Sequence, residues 1–201
     1  MNPIELKLAL DEDVQLINSL NPDIIPARFY YGTFLKLFAS GFWKIWLIIT
    51  ATLTYAGVHN PSNEAIAHEA VSQIVEESVL MAFFMSLGSM LLLTQALNFR
   101  ILVRFYLEDR LKTGRILTQK LKHIAYLFFG SFAVFCAMFA SYGESAAIFF
   151  LVGIAFFGSL VITYFVVNME MNRIGLILIF SVIHEFFQKG KKGYLNSSMT
   201  Q

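Results

Sequence analysis

Basic residues are missing from the whole stretch between Lys44 and Arg100, and no charge of either sign occurs in residues 78–99, 124–143 or 146–169. Runs of that length leave no polar face for water, whereas roughly 20 apolar residues suffice to cross a bilayer. Cysteine is almost absent. Cys136 is the single one and lies within an apolar run, which excludes an internal disulfide and a cysteine-based zinc cluster. The four histidines, His59, His68, His123 and His184, all avoid the middle of an apolar run, so a haem held from both sides by facing intramembrane histidines is excluded. No phosphate-binding glycine loop, HExxH or serine-centred nucleophile motif occurs. Residues 1–20 are acidic in their middle (Asp11, Glu12, Asp13) and hold no continuous apolar region, so no secretory signal is expected and insertion is expected to begin with the first span.

What is present fits a chain solvated by lipid. Of 201 residues, 57% are hydrophobic and only 14% charged, with 21 Phe and a mean hydropathy of +0.62. The expected fold is an all-α integral membrane protein: a bundle of four transmembrane helices, with amphipathic segments at both ends of the chain. The spans are read at 37–58, 78–99, 124–143 and 146–169, with an outer-side helical loop at 59–77 and a basic hairpin at 100–123.

Charge sets the expected orientation. The hairpin holds seven of the fifteen Lys and Arg residues against only Glu108 and Asp109, and a short basic loop between spans belongs in the cytoplasm. Glu64, Glu69, Glu76, Glu77 and Glu144 then fall outside, where no basic residue lies. Both termini are expected in the cytoplasm, and the membrane is expected to be a bacterial inner membrane.

The remaining segments follow from local pattern. Within residues 1–36, Leu6, Leu10, Val14 and Ile17 share a helix flank, and the preferred reading is a surface helix packed on loops or a partner. From Arg28 to Phe42, aromatics alternate with Arg28 and Lys36 in the manner of an interfacial entry, with rings at headgroup level and long cations snorkelling. Lys44 is the only basic residue that could fall inside a span and is expected to snorkel, because a buried charge costs several kcal/mol. Ser62 should cap a helix that runs unbroken into the second span and makes it longer than a bilayer is thick. Gly114 is the expected break in the hairpin and Thr118 a candidate cap. Residues 174–187 are too short for a comfortable span and are expected at the cytoplasmic interface, followed by a basic tail at 188–201. The sequon at Asn196 would then face the cytoplasm unused.

Candidate chemistry is sparse. Glu64, His68 and Glu69 could supply arms of a metal site, but without a third well-spaced ligand solvated side chains are the better reading. The polar residues that could serve ion coupling, Thr94, Gln95, Asn98 and Asn168, are displaced toward the cytoplasmic end. Small residues four apart (Ala82 and Ser86; Ala133, Ala137 and Ser141; Ala155 and Ser159) point to close packing within the bundle rather than to an oligomer seam. The site residues that stand out are Arg100, Arg104, Arg110, Lys112 and Arg115, as contacts to anionic lipid or to an acidic cytoplasmic partner, with Phe105, Tyr106 and Leu107 beside them. No catalytic residue, metal, cofactor or nucleic-acid partner is expected. The lipid bilayer and other membrane subunits, or further copies of the chain, are the expected partners. The expected role is that of a small non-enzymatic membrane subunit in an envelope transport or secretion assembly. A self-assembling channel or small-solute transporter is the alternative.

Overall fold

The computed structural model describes residues 12, 13, 15, 25–62, 70–107, 114–144 and 146–174, and helix is the only regular structure among them. Four long helices carry the four apolar runs: α1 (Ala27–His59), α2 (Val71–Leu107), α3 (Gly114–Tyr142) and α4 (Ile148–Ile174). Even α4, with 27 residues, is about 40 Å long at 1.5 Å per residue. All four are long and apolar enough to cross a membrane, which is the architecture of a multi-pass membrane protein.

Burial repeats every four residues, as it must where one face of a 3.6-residue helix meets its neighbours. On α2 the buried positions are Ile74, Ser78, Ala82, Ser86 and Met90, and on α3 Phe128, Phe132, Cys136 and Ala140. Ile45, Ile49, Leu53 and Ala56 of α1 face them, and Ile148, Val152, Phe156 and Ser159 of α4 complete the core. The opposite faces are equally apolar and exposed, as at Leu47, Leu80, Leu91, Val134 and Phe150. Helices apolar all round have no stable place in water and fit lipid.

The chain folds as two antiparallel hairpins, α1 with α2 and α3 with α4, joined mainly where α1 packs on α3. Glycine lets α1 approach α2 closely: a Cβ on Gly57 would stand 2.7 Å from Cγ2 of Ile74. Rings fill the other seams. Phe128 and Phe132 stack with centroids 6.1 Å apart, and Phe156 meets both edge-on at 5.7 and 6.1 Å. At the end opposite the basic hairpin, Asn60 donates from Nδ2 to the Ala140 carbonyl at 2.9 Å, fixing α1 against α3.

Several expectations need correction. Thr118 is not a cap: α3 begins at Gly114, and the Thr118 hydroxyl donates back to the Gly114 carbonyl at 3.1 Å. The second helix is long, but it begins at Val71, with Ala70 outside it and its carbonyl accepting from Gln73 and Ile74. Alanine is a poor N-cap, so nothing in the residue type marks that start. The small-residue stripes of α2 and α4 are buried as expected, whereas on α3 Ala133 is half-buried and Ala137 and Ser141 are exposed. Leu6, Leu10, Val14, Ile17, Glu64, His68, Glu69, nearly all of the segment at 174–187 and the tail at 188–201 lie outside the described residues.

Candidate functional site: a basic groove between three helices

Four-residue spacing along α1 builds a column of rings. Tyr30, Phe34, Phe38 and Phe42 follow one another with centroids 6.0–6.5 Å apart, and Phe42 meets Phe83 of α2 edge-on at 5.3 Å. Tyr30, Phe38 and Phe42 of this column also pack against neighbouring helices, whereas Tyr31 faces outward, 68% exposed. The column also holds the basic ends of α1 and α2 together. Tyr30 donates to Oδ1 of Asn98 at 2.8 Å, and the Phe29 and Phe105 rings lie 5.3 Å apart.

With that pairing fixed, cations from separate helices converge. Arg28 and Lys36 of α1 and Arg104 of α2 line one groove of about 370 Å³, whose wall also includes Gly32 and Thr33. A smaller cavity of about 110 Å³ adjoins it, lined by Arg100 and Arg104 together with Thr118 and Leu121 of α3. Arg28, Gly32 and Lys36 are four apart and share a face of α1. Nothing lies within 4 Å of the position a Gly32 Cβ would take, so the groove is open at its middle.

Of the five residues singled out from sequence, Arg100 and Arg104 belong to this site. Arg110 and Lys112 lie outside the described residues, and Arg115 is described only as part of helix α3. Sequence reasoning did not join Arg28 and Lys36 to the arginines. The available signal was the Arg-x3-Gly-x3-Lys spacing, which puts two cations on one face with a gap between them.

Three cations climb α1 at intervals of eight residues, Arg28, Lys36 and Lys44, about 12 Å apart at 1.5 Å per residue. Lys44 Nζ stands over the Phe129 and Tyr126 rings of α3, at 5.1 and 5.5 Å from their centroids. Lys122 Nζ reaches the same Tyr126 ring at 5.9 Å.

The candidates for ion coupling do not converge on one site. Thr94 donates to the Met90 carbonyl at 3.1 Å, Asn98 accepts from Tyr30, and Gln95 and Asn168 are exposed. The core hydroxyls of Thr52, Ser86, Ser159 and Thr163 each donate to the carbonyl four residues earlier, at 2.6–2.7 Å.

No family model, curated protein or solved structure matches the chain.

Proposed function

We propose that this chain is a small non-enzymatic subunit of a larger membrane assembly, seated in a bacterial inner membrane with its basic end and both termini in the cytoplasm. One observation carries the reading. The bundle interior is filled by rings and branched side chains, with the hydroxyls of Thr52, Ser86 and Ser159 turned onto their own helices, while Arg28, Lys36, Arg100 and Arg104 of α1 and α2 line cavities at one end. Such a bundle has little to offer a solute along its axis and much to offer an anionic surface at its foot. Lys and Arg near span ends favour the cytoplasmic side. Steering by a basic face speeds encounter with an acidic partner. Transport or secretion by the whole assembly is the setting in which such a subunit works.

A second reading, a self-assembled channel, draws on α3, where Ala137 and Ser141 are exposed beside Val134 and Met138. Small residues on an outer face permit close contact with another copy. Affinity purification of the tagged full chain from its native membrane, followed by mass measurement of the intact particle, tests both. Different chains held in fixed ratio support the subunit reading. A closed homo-oligomer that conducts ions in liposomes overturns it.

A further inference from the structure

The groove between Arg28, Lys36 and Arg104 has the chemistry of a phosphate seat, and its depth identifies the source of the phosphate. Measured along α1 from Asn60, Lys36 lies about 36 Å away and Arg28 about 48 Å at 1.5 Å per residue. If Asn60 marks one edge of a hydrocarbon layer about 30 Å thick, Lys36 falls in the opposite headgroup layer. The Arg28 backbone lies about 12 Å beyond Lys36 on the aqueous side, about two helical turns away, from where its long side chain can point back toward the groove. The helix face that bears Arg28, Gly32 and Lys36, with exposed Leu35 beside Lys36, continues toward the bilayer through Ala39 and Trp43, both exposed. An apolar track thus leads directly out of a cationic groove, and an indole stands where interfacial tryptophans are favoured. A soluble phosphate would use only the cations. A phospholipid would use both features.

We propose that this groove seats the phosphate of one anionic phospholipid, with Arg28, Lys36 and Arg104 around the headgroup and an acyl chain lying along Ala39 and Trp43 of α1. The inference rests on the basic end of the bundle lying at a membrane surface, as the subunit reading has it, but not on any protein partner. Gly32 leaves the middle of the groove open, so a side chain there should occlude the seat without altering charge.

The test uses the full-length chain in detergent, mixed with phosphatidylglycerol or phosphatidylcholine of identical acyl chains, with bound lipid counted by native mass spectrometry. The native chain should retain one phosphatidylglycerol in preference to phosphatidylcholine. Arg28→Gln and Lys36→Gln should each weaken retention about fivefold, the equivalent of one cation near an anionic surface. Gly32→Leu should abolish the preference while keeping helix content by circular dichroism, since leucine is the better helix former. Inorganic phosphate at millimolar concentration should displace little lipid. Equal retention of the two lipids, or native-like retention by Gly32→Leu, overturns the seat in favour of diffuse attraction. Complete displacement by inorganic phosphate overturns the lipid assignment. Because no partner protein is present, loss of partner capture in the membrane purification leaves this result untouched, and the reverse also holds.

Discussion

Tyr30 donates its phenolic hydrogen to Oδ1 of Asn98 across 2.8 Å, linking α1 to α2 through residues 68 positions apart. Both groups are partly buried, so removing the donor leaves the Asn98 oxygen short of a partner. Tyr30→Phe keeps the ring in the aromatic column and deletes only the hydroxyl. It should lower stability by about 1 kcal/mol, the net worth of one such bond. Unfolding in mixed micelles read by circular dichroism checks this, and an unchanged midpoint would mean the bond contributes nothing to the pairing.

The close approach of α1 to α2 makes two glycines respond in opposite ways. A Cβ on Gly57 meets Cγ2 of buried Ile74 at 2.7 Å, and a β-branched side chain within a helix has little freedom to withdraw. A Cβ on Gly41 meets the flexible end of Met90, Cε at 3.0 Å and Sδ at 3.1 Å, which can move aside. Gly57→Ala should therefore destabilise by about 1–3 kcal/mol through overpacking. Gly41→Ala should be neutral or slightly stabilising. Gly57→Ala should cost much less in an Ile74→Ala background than in the native chain, and an unchanged cost would show that the clash lies elsewhere.

Much of this architecture was legible in the sequence because lipid imposes a simple rule: residues 78–99, 124–143 and 146–169 carry no charge, and a helix is the cheapest way to satisfy their backbone there. The groove was only half legible. Arg100 and Arg104 are neighbours on one helix, so periodicity alone puts them on a shared face. Arg28 and Lys36 join them only through the register between α1 and α2, which is fixed by Gly57 against Ile74 and Tyr30 against Asn98. Side-chain complementarity of that kind has no period to read. The ring column shows the same limit, since its four-residue spacing was visible and the helix it packs against was not.

Orientation can be read with cysteines because the native thiol is out of the way: Cys136 is only 1% exposed. Ser72 and Gln119 are both exposed and stand near opposite ends of the bundle. In intact cells a maleimide that cannot cross the membrane should modify Ser72→Cys and spare Gln119→Cys until the membrane is opened. The reverse pattern would place the basic end outside and remove the basis for cytoplasmic docking.

Thr50 carries the one side-chain hydroxyl that is buried without a hydrogen-bond partner among the described residues. Its neighbour in the same helix, Thr52, donates to the Ile48 carbonyl at 2.7 Å. An unpaired buried hydroxyl costs about 1–3 kcal/mol, and valine matches threonine closely in shape. Thr50→Val should thus raise stability by about 1 kcal/mol, whereas Thr52→Val should lower it or leave it unchanged. A destabilised Thr50→Val would show that this hydroxyl is bonded in the folded protein.

Lys44 is the sharpest test of how the bundle sits in lipid. It lies sixteen residues from Asn60, about 24 Å along α1 at 1.5 Å per residue, hence inside a hydrocarbon layer about 30 Å thick by roughly the length of its own side chain. Its ammonium group can therefore reach the headgroups, and on the way it lies over Phe129 and Tyr126. Two effects compete when the charge is removed: relief of desolvation, which favours the neutral residue, and loss of attraction to two ring faces, worth about 0.5–2 kcal/mol. Snorkelling leaves little desolvation to relieve, so the second effect should win and Lys44→Met should destabilise by about 1 kcal/mol. In a Phe129→Leu background the same substitution should cost measurably less, because one ring face is already gone. If Lys44→Met stabilises the protein in both backgrounds, the ammonium group is held in hydrocarbon rather than at the interface, and α1 sits deeper than the position of its cations implies.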